Sequence, residues 1–365
     1  MELGLSFLPD ASPAELSARE YFTRALELTA MADAAGLASV KMTEHYLHPY
    51  GGYCPSPLGF LAAAAARTRR LRLITGGVLP AFHHPIQLAS DAAMLDAISG
   101  GRLEIGFARA YLPYEFAALG VPLDESRRRF TATVDTVIRL WTETGVTAAS
   151  PYFSFQDCTV LPRPTQRPHP PVWIAASVSP ESFEWVGRRG FGLMATSLLG
   201  DRGYLVDLLG LYRDAWRKAR PAGAGRIALS IPLLVAESDR RARRDADRHL
   251  SRYLAVWADA ASAWRGVSSD AYPGYARMAE VIAACAPERL VRTGGAVVGC
   301  PARVADAIAQ LRAELGADEL LWQIDFGVMP HEHAVRTLRL LVDEVLCRLP
   351  RGSTAPAEAT IAPAS

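Results

Sequence analysis

Residues 71–109 read LRLITGGVLPAFHHPIQLASDAAMLDAISGGRLEIGFAR, and this stretch decides the fold class. Leu71–Leu79 predicts a buried strand. Pro85–Ile98 predicts a helix with proline in its first turn, closed by Gly100 and Gly101. Leu103–Ala108 predicts the next strand. Strand, helix and strand in so short a span make a crossover unit, and such units build parallel sheets.

The same rhythm extends in both directions. Towards the N-terminus, strands are expected at Leu3–Leu8 and Ala38–Thr43, and helices at Tyr21–Ala35 and Pro57–Ala66. Phe22, Ala25, Leu26, Leu28 and Met31 set the helical spacing of the first helix, which stops at Gly36. Towards the C-terminus, Glu125–Thr142 reads as a helix. Proline-rich Ser150–Pro171 reads as an inserted hairpin with strands at Tyr152–Phe155 and Cys158–Leu161. Further strands follow at Val172–Ala176, Leu193–Ser197, Ile227–Ala236 and Glu319–Phe326. Helices are expected at Pro180–Arg189, Tyr204–Ala219, from Asp239 onward, at Arg303–Leu315 and at His333–Leu346. Ala260–Arg292 reads as irregular.

Eight strands alternating with helices predict an α/β chain folded as a (β/α)8 TIM barrel with insertions. The rival is an open doubly wound sheet. No Gly-x-Gly-x-x-Gly follows a strand, and Gly294-Gly295 with Gly299 has the wrong spacing and no expected strand before it. The expected organisation is one domain over residues 1–349, with insertions near 150–171 and 260–292 and a disordered tail over 350–365.

Composition removes several function classes. Of 365 residues half are hydrophobic, and the formal net charge is +1. A sizeable core is therefore available, and nothing draws the chain in bulk to nucleic acid or an anionic membrane. Arg240, Arg241, Arg243 and Arg244 alternate with Asp239, Asp245 and Asp247, which reads as a solvated helix face. Cys54, Cys158, Cys285, Cys300 and Cys347 are scattered and form no metal or disulfide pattern, which fits a reducing, cytoplasmic setting. The N-terminus lacks the basic and apolar regions of a signal peptide, and the longest apolar run, Leu58–Ala66, is too short to span a membrane.

In a barrel of this kind, chemistry sits where strands run out into the following loops. Polar residues at those ends are Glu44, His45, His48, His83, His84, Arg109, Ser177, Ser179, Thr196, Ser197, Gln323 and Asp325. Glu44-His45 reads either as an acid–base pair or as a structural pair. Arg109 reads either as a phosphate clamp or as half of a surface ion pair. Ser179-Pro180-Glu181 is a helix start that serves either as a phosphate site or as an ordinary cap. His331-Glu332-His333 is a poor metal motif, because residues two apart diverge on a helix. No Gly-x-Ser-x-Gly elbow supports a hydrolase.

Several segments together resemble the bacterial luciferase-like family of flavin-dependent monooxygenases. They are Lys41-Met42-Thr43-Glu44-His45-Tyr46, Leu79–Pro85, Ser99–Arg109, Pro171–Ser177, Gly299-Cys300-Pro301 and Asp325–Glu332. The resemblance implies reduced FMN delivered by a separate flavin reductase, and oxygen transfer to a small-molecule substrate through a C4a-hydroperoxide. It places His45 at the catalytic histidine with Glu44 beside it. It also makes Gly76, Gly77, Ala108, Arg109, Ala176, Ser177, Val178, Ser179 and Thr196 cofactor-binding, with the phosphate between Arg109 and Ser179 and a non-proline cis peptide at Gly76-Gly77.

Tyr46 stands where the family often has a second histidine, and Ala108 where luciferases carry a cysteine. Both departures speak against light emission and not against flavin use. A homodimer is expected, and a role in secondary metabolism of a high-GC bacterium. The alternatives are a deazaflavin-dependent hydride-transfer enzyme and a non-catalytic flavin-binding protein.

Overall fold

The computed structural model describes residues 1–196, 202–221 and 223–349. The expected tail over 350–365 and the strand end at Ser197 lie outside the described residues. The strands are β1 (Glu2–Phe7), β2 (Ser39–Met42), β3 (Arg72–Thr75), β4 (Leu103–Ala108), β5 (Val146–Ala149), β6 (Ser154–Cys158), β7 (Val172–Ala175), β8 (Gly192–Thr196), β9 (Ile227–Val235), β10 (Val297–Gly299) and β11 (Glu319–Gln323).

Eight of them close a parallel barrel in the order β1-β2-β3-β4-β7-β8-β9-β11, with β11 pairing back to β1 and β8 pairing with β9. This is the (β/α)8 barrel. Its interior is packed: Ile74, Trp173, Met194, Ala228 and Leu321 meet across the axis. At the N-terminal mouth Glu104 accepts from Arg72 at 2.8 Å and from the Trp173 indole at 2.6 Å, and Arg72 also pairs with Glu319 at 2.9 Å. Burying these carboxylates is tolerable because each has a guanidinium partner. The C-terminal mouth is thereby left as the open end.

Four expectations need correction. The hairpin pairs β5 with β6, so its first strand precedes Tyr152. Ser150 Oγ accepts from the Tyr152 and Phe153 amides, which makes that pair the turn and not a strand. The third strand stops at Thr75, and beyond the cis Gly76–Gly77 peptide pairing resumes only as a bridge from Val78 to Phe107. Residues 260–292 are largely helical. The helix Asp239–Ala261 is followed by turns at Ser262–Trp264 and Tyr275–Arg277 and by helices Met278–Ala283 and Pro287–Thr293. These pieces are too short to show a period. Finally, β10 was not expected: it begins after Gly294-Gly295, which a helix and not a strand precedes, and it pairs parallel to the far end of β9.

Where β1 and β11 run out, two buried carboxyls hold the loops together. Gly327 N donates to Asp10 at 2.5 Å, and the Tyr21 hydroxyl donates to Asp325 at 3.0 Å. Burial pushes Asp10 up to about 6, and burial with the nearby Asp10 charge pushes Asp325 up to about 8. In the fold both keep a proton that the unfolded chain loses near pH 4. Their stabilising contribution is therefore complete below that pH and is lost as pH rises through about 6 and about 8. The melting temperature should fall between pH 5 and pH 8.5, and Asp325→Asn should flatten that slope. A variant melting profile as steep as the wild type would show that the pair does not carry the linkage.

Candidate active site

At the C-terminal mouth lies a cavity of about 250 Å³. Every residue assigned to a site from sequence lines it: Glu44 and His45 after β2, Gly76 and Gly77 after β3, Ala108 and Arg109 at the end of β4, Ala176, Ser177, Val178 and Ser179 after β7, and Thr196 closing β8. Lys41, Ser230 and Gln323 lie on its walls, with Tyr50, Tyr111, Tyr253, Trp257 and Tyr275.

His45 is buried and oriented by a carboxylate. Its Nδ1 lies 3.0 Å from Oε1 of Glu115, which also accepts from the Tyr46 amide at 2.9 Å. Glu115 is 0% exposed, and its second oxygen has no partner. A carboxylate on Nδ1 fixes the tautomer with the proton there, so that Nε2 is the basic nitrogen. The ring stacks edge-on to Tyr111 at 5.9 Å. It also packs on Gly51, whose φ is +82° and where a Cβ would stand 2.6 Å from the imidazole, so glycine is required there.

Glu44 does not touch His45. Its Oε1 accepts from Tyr46 Oη at 2.6 Å and faces His83 Nε2 at 2.7 Å, and its Oε2 accepts from the Leu79 amide at 3.3 Å. Burial alone would lower the His83 pKa, but the bond to Glu44 outweighs it and holds the imidazole above its ordinary value. The pair ties the β2 and β3 loops together. His84 accepts from the Ile86 amide at 3.3 Å and caps the following helix, so neither histidine of that motif lines the cavity. The partner of His45 is thus a residue that local sequence did not flag. The only readable hint was an acid in the first turn of the short helix Pro113–Ala118.

Arg109 is not half of an ion pair among the described residues. Its guanidinium lies 4.1 Å over the Tyr272 ring, and Tyr275 lines the cavity beside it. Nη1 is buried without a partner. Burial, with Arg127 nearby, holds its pKa below the usual guanidinium value. Beside it, Ser179 precedes helix Pro180–Arg189 and makes no side-chain cap bond. Pro180 has no N–H, the Ser182 and Phe183 amides donate to the Ser179 carbonyl at 3.0 and 3.4 Å, and the Glu181 amide is the first-turn donor left for a ligand.

The cis Gly76–Gly77 peptide faces the same space. A Cβ on Gly77 would meet the Phe107 carbonyl carbon at 2.7 Å, and one on Gly76 would meet the Lys41 stem at 2.4 Å. Two glycines therefore let this backbone shelf lie close against β4 and the Lys41 stem. Thr196 Oγ1 donates to the Ser230 carbonyl at 3.2 Å. His48 pairs outward with Asp259, and His331 with Glu27.

The profile of a family described as luciferase-like monooxygenase matches residues 1–319. The chain belongs to that family. By family this luciferase-like protein is a flavin-dependent monooxygenase. A crystal structure of the monooxygenase RslO1 from Streptomyces bottropensis is 40% identical, with a TM-score of 0.84 over 95% of this chain and 99% of that one. The oxygenase component of flavin-dependent trigonelline monooxygenase from Acinetobacter baylyi is 29% identical over 90% of each chain. The oxygenating constituent of 3,6-diketocamphane monooxygenase from Pseudomonas putida, solved with FMN, shares the fold at 20% identity and a TM-score of 0.78, over 96% of this chain and 99% of that one. No described helix is long and apolar enough to cross a membrane.

Above Arg109 the luciferase-like barrel carries an aromatic cluster in which Trp264, Tyr272 and Tyr275 lie within 5.1–5.3 Å of one another. They belong to the inserted segment, and Tyr275 reaches the cavity. Amides of residues 262–278 are expected to exchange more slowly once FMN binds. Exchange that does not respond to FMN would make the segment a fixed wall.

Proposed function

We propose that the chain is the oxygenase component of a two-component monooxygenase that takes reduced FMN from a separate flavin reductase and oxygenates a small organic substrate. The observation that carries this reading is the buried, unpartnered Arg109 Nη1 beside the uncapped start of helix Pro180–Arg189, at one end of a cavity floored by the Gly76–Gly77 shelf. A dianionic phosphate satisfies the first, and a flat tricyclic ring satisfies the second.

In this reading Arg109, Ser177, Val178 and Ser179 hold the phosphate. Gly76, Gly77, Ala108, Ala176 and Thr196 lie along the ring. Bound reduced FMN supplies the oxygen-activating chemistry. His45 moves a proton at Nε2, held by Glu115 on Nδ1. Glu44 fixes the loop that carries His45. Tyr275 and Trp257 help to exclude water.

The test is turnover with reduced FMN, a flavin reductase and labelled dioxygen over a panel of candidate substrates. The expected result is substrate-dependent incorporation of one labelled oxygen atom. Turnover without oxygen on a reduced deazaflavin, and no incorporation with FMN, would replace this reading by hydride transfer.

A further inference from the structure

A packed barrel interior is normally apolar, and here it is apolar on most sides. One row breaks the pattern. The strand register sets Ser6 of β1 beside Lys41 of β2 on one flank and beside Gln323 of β11 on the other. All three line the cavity. Lys41 is 8% exposed, Gln323 5% and Ser6 2%.

These groups bring more donors than the protein uses. Lys41 Nζ donates to Ser230 Oγ at 2.7 Å, and among the described residues no carboxylate lies within ion-pair distance of it. The buried acids of the barrel, Glu104 and Glu319, are taken up by Arg72 and Arg226 at the opposite mouth. Gln323 Nε2 is buried with no partner at all. Burial pushes Lys41 down to about 8, as expected of an ammonium that lacks a counter-ion. A buried ammonium with one hydroxyl acceptor and no counter-charge, beside a buried amide with no acceptor, is costly unless a ligand supplies the missing acceptor.

The position of the row defines that ligand. Around the ring of eight strands, β1 stands four places from β7 and β11 four from β4, across the mouth from Ser179 and Arg109, while β2, which carries Lys41, stands two places from β4. The Gly76 backbone lies against the Lys41 stem, and the cavity wall also carries the stacked pair Tyr50–Trp257, whose rings are 5.9 Å apart at 3°. A flat ring held in this cavity can present an edge oxygen to these donors.

We propose that Lys41, Gln323 and Ser6 form an oxyanion subsite for an ionised ring oxygen of phenolate or enolate type. FMN carries no such phenolate. The oxygen comes either from the substrate or from the ring hydroxyl of an 8-hydroxy-5-deazaflavin. The proposal rests on the cavity being a ring-binding site, and only its first test arm uses FMN.

In that arm FMN-loaded protein is titrated with 4-nitrophenol, whose phenolate is coloured, and with 4-nitroanisole, which cannot ionise. In the second arm flavin-free protein is titrated with the 5′-phosphate of 8-hydroxy-5-deazaflavin, whose ring phenol also ionises visibly. In the arm that matches the natural source, ionisation of the bound ring should move down by about one pH unit or more, a tenfold preference for the anion. Lys41→Met should abolish the shift and weaken binding of the anion roughly ten- to a hundredfold. Binding of 4-nitroanisole should not respond. Gln323→Leu should reduce the shift, and it decides the matter if Lys41→Met does not fold by circular dichroism. No shift in either arm, or a shift that survives in the folded variants, overturns the subsite. If labelled oxygen is not incorporated while the deazaflavin phenol still shifts, the function reading falls and the subsite stands.

Discussion

His45→Ala is expected to bind reduced FMN nearly as well as the wild type and to lose product formation by roughly 10²–10⁴-fold. Oxygen should still be consumed, but it should appear as hydrogen peroxide. The imidazole is the basic group on the cavity wall whose geometry is fixed on both sides, by Glu115 at Nδ1 and by Gly51 against the ring. Glu115→Gln separates orientation from charge. An amide oxygen can still accept from Nδ1, so the tautomer survives, but stabilisation of the protonated ring is reduced. Its turnover should lie between those of the wild type and His45→Ala. Near-normal product yield in His45→Ala, measured as the ratio of product to peroxide, would remove His45 from the mechanism.

The difference between His45 and its partner shows what a single sequence makes legible. Periodicity and glycine punctuation locate strands and helices, because both follow from local backbone geometry. The closed barrel then follows from counting strands, and strand ends select the residues facing its mouth. Glu44, His45, Arg109 and Ser179 were readable in this way, with the resemblance supplying their roles; Gly76 and Gly77, inside the expected strand Leu71–Leu79, came from the resemblance alone. Glu115 was not, because it reaches His45 from a helix seventy positions along the chain. Adjacency in sequence suggested Glu44 instead, yet consecutive residues at a strand end point to opposite sides. Glu44 turns towards His83 and Leu79, away from the imidazole.

The Lys41–Ser6–Gln323 row was hidden for another reason. Gln323 stood among the strand-end polar residues, but Lys41 and Ser6 look unremarkable in their own strands, and only the inter-strand register sets the three side by side. The aromatic cover over Arg109 was partly readable, since Trp264, Tyr272 and Tyr275 stand out in the inserted segment. The short helices around them carry too few turns to announce themselves.

Arg109→Ala should weaken FMN binding roughly 10- to 150-fold, the loss of a charge-assisted phosphate contact worth ~1.5–3 kcal/mol. Riboflavin, which lacks the phosphate, is the internal control and should bind the variant almost as it binds the wild type. The control matters because Arg109 also packs on Tyr272. Removing it could loosen the aromatic cover, and a loosened cover would weaken both ligands alike. Arg109→Lys refines the comparison. It keeps a positive charge but loses the planar fork and most of the stacking on Tyr272, so FMN affinity should be intermediate. Salt should weaken FMN binding to the wild type more than to Arg109→Ala, since the contact removed is ionic. Equal losses for FMN and riboflavin would assign Arg109 to the architecture of the cover and move the phosphate site elsewhere along the cavity wall.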